Sequence, residues 1–235
     1  MTGPGAPAMI WEASAATRQG PNHDQNEDAY SAWPEAGLFA VADGMGGHTD
    51  GGLASRSIIE ILRTVVEPGA ELTVRVALAE EAIEAVNGAL RAKADLLPAR
   101  DIIGSTVAAL LVGEGLAVCL WVGDSRIYHL SGGRLARLTR DHSLAEDGEA
   151  EEGNRNVLTR AVGSTADVEI DRVVAPVASG DTLLVCSDGL IKVVSDAEIA
   201  GFMDQPLAGL AERLIARAIV AGGRDDITVI VARCR

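Results

Sequence analysis

Carboxylates recur at the ends of apolar runs in this chain. The run 38–42 ends in Asp43-Gly44-Met45-Gly46-Gly47-His48, and the run 183–187 ends in Asp188-Gly189. A carboxylate at the tip of a buried strand is held rigidly, and the glycine after it lets a backbone carbonyl come close to a cation. Each Asp-Gly alone signals only a turn. Two at similar strand ends, joined by Asn26-Glu27-Asp28, by Asp124 after Trp121-Val122-Gly123, and by Asp225-Asp226 before Ile227-Thr228, suggest one centre. Converging carboxylates repel one another unless they are protonated or bind cations, and oxygen-only donors suit Mg2+ or Mn2+ rather than zinc. The pattern predicts a hard-metal site.

Short apolar runs bounded by turn residues predict strands at 10–16 and 37–42. Two helices follow, one from Leu53 with Ile58, Ile61, Leu62, Val65 and Val66 at helical spacing, the next with Ala79, Ala82, Ile83, Val86 and Leu90. Strands are then expected at 105–112, 116–122, 126–130 and 134–138, with hairpin turns at Gly113-Glu114-Gly115 and Ser131-Gly132-Gly133. Consecutive hairpins mean antiparallel pairing. Further strands at 168–174, 181–186 and 227–232 surround helices at 196–203 and 206–221. The acidic stretch 141–155 is poor in large apolar residues and is expected on the surface. Residues 9–235 read as one domain behind a flexible tail at 1–8.

Composition removes several alternatives. With 20 Lys+Arg against 34 Asp+Glu the formal charge is -14, and no basic run offsets it, so nucleic acid is not an expected partner. A hydrophobic share of 48% over 235 residues supports a packed core. The stretch 102–123 carries Ser105, Thr106 and a Gly-flanked Glu114, which fits two buried strands better than a membrane span. The first eight residues lack the basic and apolar regions of a signal peptide. Three scattered cysteines show no metal-ligand spacing and fit a reduced compartment. A cytoplasmic monomer without membrane attachment is expected.

The motifs, in order, resemble a known family. Gly20 with Asn26-Glu27-Asp28, the Asp43 segment, Gly104-Ser105-Thr106, Gly123-Asp124-Ser125-Arg126, Asp141-His142-Ser143, Ser187-Asp188-Gly189 and Gly222-Gly223-Arg224-Asp225 are similar to those of bacterial protein phosphatase 2C (PPM) enzymes, which are metal-dependent Ser/Thr phosphatases. The resemblance implies an α+β fold, a four-layer αββα sandwich of two antiparallel sheets flanked by helices. It implies that Asp43 bridges two Mn2+ or Mg2+ ions, that the Gly44 carbonyl completes one site, and that Asp188 and Asp225 complete the other. Glu27 and Asp28 would hold metal-bound waters, and Asp124 would serve a third, weaker ion. It further implies that Asp43, Asp188 and Asp225 support hydrolysis of phosphomonoesters by a metal-bridged water, acting on a phosphorylated Ser/Thr protein, a kinase or its target.

The chain also departs from that pattern. His23 stands where the family usually has the Arg that grips substrate phosphate, so it is expected to supply a single, pH-dependent donor in place of a fixed fork. Asp226 stands where Asn commonly follows the metal Asp, leaving Asp225 as the favoured ligand of the two. The flap, at about 141–156, is shortened: residues 144–154 alone separate Asp141-His142-Ser143 from Arg155. His48 and His142 read as structural, Ser105 and Thr106 as hydrogen-bonded packing, and Arg126 and Arg160 as ion-pair partners. Alternative activities are a phosphoprotein-binding pseudophosphatase with weak or no hydrolysis, and a metal-dependent hydrolase of small phosphate esters.

Overall fold

The computed structural model describes residues 9–46, 50–96, 103–151, 153–154 and 157–235. The expected tail at 1–8, His48 and Arg155 lie outside them. Two antiparallel sheets stack face to face. One has the order β1 (Trp11–Arg18), β11 (Ile227–Cys234), β10 (Thr182–Cys186), β7 (Arg126–Ser131), β8 (Arg134–Arg137). The other runs β2 (Asp28–Trp33), β3 (Leu38–Met45), β5 (Val107–Gly113), β6 (Leu116–Val122), β9 (Asp171–Pro176), with the two-residue β4 (Gly104–Ser105) added beside the end of β3. Helices α1 (Asp50–Val65) and α2 (Leu72–Ala94) cover the second sheet, and α5 (Asp196–Met203) and α6 (Leu210–Val220) cover the first. The result is the four-layer αββα sandwich.

Three apolar layers hold it. Between the sheets, Phe39, Val41, Leu110, Ile127, Leu183 and Ile230 interdigitate, and Trp11 meets Phe39 at 6.3 Å between ring centroids. Because strands β3 and β5 are covered on both faces, they read as continuous apolar runs rather than alternating ones. Each fully buried Leu, Ile or Phe of these layers contributes about 1.5–3 kcal/mol. The hairpin between β5 and β6 turns through Glu114 and Gly115, both with positive φ, as the sequence predicts. Among the described residues no helix is long and apolar enough to cross a membrane.

The structure corrects the sequence reading in several places. Strand β2 was not anticipated, because Asp28-Ala29-Tyr30-Ser31-Ala32-Trp33 is neither an apolar run nor a clean alternation; β3 beside it and α1 above it supply the order. Helix α1 begins at Asp50, ahead of its apolar stripe. The start of the stretch expected on the surface is buried: Asp141, His142 and Ser143 are all less than a tenth exposed. Asp141 takes a two-pronged ion pair from Arg126, at 2.8 and 2.6 Å. His142 Nδ1 accepts from the Gly123 N–H at 3.1 Å, and its ring stacks on Trp121. Ser143 then caps the single turn α3 (Leu144–Asp147) of the flap. Pairing with fixed charges and amides made burial of these polar residues affordable.

Candidate metal centre

Register brings the carboxylates together. In the antiparallel pairing of β2 with β3, Asp28 lies directly across from Asp43. Opposed like charges on neighbouring strands destabilise a sheet unless something compensates. From the other sheet, Ser187 follows β10 and Thr228 lies in β11, and their hydroxyls both donate to Asp28 Oδ2, at 2.8 and 2.6 Å. These bonds staple the ends of the two sheets together and aim the second oxygen, Oδ1, into the site, where it is buried without a hydrogen-bond partner. Asp188, one residue beyond Ser187 and at the start of the one-turn helix α4 (Asp188–Ile191), likewise leaves its Oδ1 buried and unpartnered.

The backbone around Asp43 is pinned by hydroxyls. Its N–H donates to Thr106 Oγ1 at 3.1 Å, and its carbonyl accepts from Ser105 Oγ and the Thr106 N–H, both at 2.8 Å. Thr106 Oγ1 in turn bonds Ser125 Oγ at 2.8 Å, next to Asp124. The packing role expected of Ser105 and Thr106 is therefore also a positioning role. Gly44 has no room for a side chain: a β-carbon there would collide with the Gly51 carbonyl at the start of α1. Its N–H donates to the Glu27 carbonyl at 3.1 Å, and Ser55 Oγ of α1 donates to the same oxygen.

Asp225 and Asp226 separate cleanly. Asp226 is buried, and its two oxygens accept from the backbone N–H groups of Gly20, at 2.7 Å, and Glu27, at 2.8 Å. It is a latch that fixes the Asn26-Glu27-Asp28 turn against the last strand. Asp225 is one-third exposed and faces the ammonium of Lys192 at 2.7 Å. His23 lies between them, with Nδ1 3.1 Å from Asp226 Oδ2 and Nε2 3.5 Å from Asp225 Oδ1. The Asp226 carboxylate raises the pKa of His23 against the opposing effect of burial.

The electrostatics are those of a crowded acidic pocket. Burial, then the charges of Asp28, Asp188, Asp124 and Asp225, push Asp43 well above the carboxylate range. Burial raises Asp28 to about 7, and burial with Asp188 raises Asp124 to about 7. Asp188 rises through burial although Lys192 opposes the shift, and Glu27 rises through burial and Asp226. As the side chains stand, no three His, Cys, Asp or Glu among the described residues enclose an ion. The donors nevertheless fit one: unpartnered carboxylate oxygens at buried positions, all oxygen, inside a cluster whose members raise each other's proton affinity, are what a hard divalent cation neutralises.

Between the ordinary value near 3.8 and about 7, folded Asp28 and Asp124 keep protons that the unfolded chain has released. The folded state binds more protons, so metal-free stability should fall as pH rises through this window. Mn2+ competes with those protons, so the rise in melting temperature on adding it should be larger near pH 7.5 than near pH 5. Thermal unfolding with and without Mn2+ at both pH values checks this; equal shifts would contradict it.

The sequence reading missed Ser187, Thr228, Asp226 and Ser55 as positioning groups, and Lys192 entirely. The first three sit in motifs already singled out, so their signal was adjacency to a candidate ligand. Lys192 carried only a helical spacing, one turn after Asp188.

Comparison with known proteins gives a consistent result. The family model described as protein phosphatase 2C matches residues 13–220. The serine/threonine protein phosphatase PstP of Mycobacterium tuberculosis is 34% identical over 237 residues, covering 95% of this chain but 45% of PstP, so the chain spans less than half of that relative. The serine/threonine phosphatase stp of Listeria innocua is 31% identical over 225 residues, covering 89% of each chain. Among solved structures, PppA, described as a key regulatory component of T6SS in Pseudomonas aeruginosa, superposes with a TM-score of 0.90 at 34% identity, covering 97% of this chain and 100% of that one. The catalytic domain of PstP in complex with two manganese ions gives 0.84 at 33% identity, covering 96% and 99%.

Proposed function

Because the chain belongs to the protein phosphatase 2C family, we propose that residues 9–235 act as one catalytic unit, a metal-dependent phosphatase of phosphoserine and phosphothreonine in proteins. The observation that carries the reading is the pair of unpartnered oxygens, on Asp28 and Asp188, within the raised carboxylate cluster around Asp43. Asp43 and the Gly44 carbonyl would hold one divalent ion, Asp43 with Asp188 and Asp225 a second, and Asp124 with Asp188 a third and weaker one. Glu27 and Asp28, acceptor-only when ionised, would orient waters around them. When bound, Mn2+ or Mg2+ would neutralise phosphoryl charge and acidify a water.

The chain's own residues supply the remaining chemistry. Ser187, Thr228 and Asp226 hold Asp28 and Glu27 at fixed positions, and Thr106 and Ser105 hold the backbone of Asp43 on the neighbouring strand. Positioning of this kind is most of what phosphoryl transfer asks of a protein. His23, at the rim, is the proposed donor to substrate phosphate in place of the usual Arg. The net charge of -14 works against a free phosphorylated ligand at long range, which favours a substrate protein that brings its own basic surface. Such a substrate would be a kinase or a kinase target; a cytoplasmic monomer free of the membrane remains the expectation for the unit.

The test compares Mn2+-dependent kcat/KM on a phosphothreonine peptide with that on small phosphate metabolites, for wild type and His23→Ala. The peptide should be preferred, and the substitution should raise KM more than it lowers kcat. Preference for a metabolite would support the small-ester alternative instead.

A further inference from the structure

Lys192 places an ammonium inside the acidic centre. Its Nζ lies 2.5 Å from Asp188 Oδ2 and 2.7 Å from Asp225 Oδ2, while its backbone N–H donates to the Asp188 carbonyl at 2.9 Å, closing the turn of α4. The side chain is about one-third exposed, so its head has a path to solvent. A divalent ion held by these two carboxylates would bond directly to their oxygens, at about 2.0–2.1 Å for Mg2+. At Asp188 the unpartnered Oδ1 can face an ion while Oδ2 stays on Lys192, but at Asp225 Oδ1 already accepts the Asp226 N–H at 3.0 Å, so an ion there takes the Oδ2 that the ammonium holds at 2.7 Å. The two cations compete for Asp225 Oδ2, and their like charges oppose joint occupancy.

We propose that Lys192 is a tethered competitor for the Asp188–Asp225 metal position: it balances those carboxylates until a divalent ion displaces it, and so weakens that position relative to the Asp43–Gly44 one. Among the described residues the ammonium pairs with Asp188 and Asp225 and not with Asp43 or Gly44 on β3, so that position keeps its affinity. The inference rests on the metal-centre reading above. It makes the enzyme's response to divalent-ion concentration a property of one side chain on a one-turn helix, since the second ion binds only when the free concentration is high enough to push Lys192 aside.

The experiment is calorimetric Mn2+ titration of wild type, Lys192→Gln, Lys192→Arg and Arg235→Gln, with melting temperatures measured alongside. Arg235 pairs with Glu12 on β1, away from the centre, and its substitution removes one positive charge from the chain as Lys192→Gln does. Lys192→Gln should tighten the second of the two main Mn2+ sites, that of Asp188 and Asp225, by about tenfold or more and leave the Asp43–Gly44 site unchanged. It should also lower the metal-free melting temperature and enlarge the rise caused by Mn2+. Lys192→Arg should stay near wild type, and Arg235→Gln should change neither affinity. Unchanged or weaker Mn2+ binding in folded Lys192→Gln, or equal tightening by Arg235→Gln, overturns the proposal. Turnover is read separately: a Lys192→Gln protein that binds Mn2+ more tightly while no variant hydrolyses phosphopeptide would refute the phosphatase reading and leave this one standing. Robust hydrolysis with unaltered affinities would do the reverse.

Discussion

Asp43→Asn should abolish turnover while leaving the protein folded and, without metal, at least as stable as wild type. The side chain is the proposed bridge between two ions, and losing such a group should lower kcat by at least about 10³-fold, comparable to removing a main electrostatic contact in other active sites. The fold does not depend on the carboxylate. The strand end is fixed through the backbone, by Thr106 and Ser105, and Asn has nearly the same shape. In metal-free protein the carboxyl is a liability, since burial and four neighbouring aspartates oppose its ionisation. A neutral amide removes that repulsion and offers donors to the surrounding oxygens. The expected pair of results is therefore loss of Mn2+-dependent phosphate release together with an unchanged or higher metal-free melting temperature near pH 7.5. A variant that is inactive only because it has unfolded would contradict the account of Asp43, as would one that keeps wild-type kcat.

The adjacent acids should respond in opposite ways. Asp226→Ala removes two charge-assisted hydrogen bonds, to Gly20 and Glu27, and leaves both amides without their partner. At about 1.5–3 kcal/mol for each hydrogen bond to a charged group, with losses from a shared carboxylate not fully additive, destabilisation of about 3 kcal/mol is expected in urea unfolding. The Glu27 turn should loosen, and activity should fall as a consequence. Asp225→Ala should change stability by no more than about 1 kcal/mol, because its carboxylate is partly exposed and its pair with Lys192 is of the solvent-screened kind. Its effect should appear in Mn2+ binding and kcat. Reversal of this pattern, with Asp225→Ala unfolding the protein and Asp226→Ala only weakening Mn2+ binding, would exchange the two roles.

Much of this arrangement was legible in the sequence because it is carried by strong local signals. Apolar runs ending in Asp-Gly located Asp188 just past β10 and Asp43 near the end of β3, although β3 runs on to Met45 because β4 pairs with it, and the turn at Glu114-Gly115 located a hairpin. What escaped depends on contacts far apart along the chain. Strand β2 has no periodicity of its own and is ordered by β3 beside it. Asp141 and His142 looked too polar to bury because their partners, Arg126 and the Gly123 amide, come from the other side of a hairpin. Asp226 looked like a second candidate ligand until its two oxygens were seen to be occupied by Gly20 and Glu27, some 200 residues earlier in the chain. Lys192 could have been noticed from its helical spacing to Asp188, but its reach to Asp225 depends on how β10 and β11 pair.

The difference between a working phosphatase and a fold that only binds phosphoprotein comes down to whether the carboxylate cluster, once it holds divalent ions, turns over substrate. Metal-free wild-type protein titrated with Mn2+ in the presence of a phosphothreonine peptide, with released phosphate and bound Mn2+ followed together, addresses this directly. Phosphate release should be absent without Mn2+ and should rise as the second ion binds. Saturation with two Mn2+ ions and no phosphate release would contradict it.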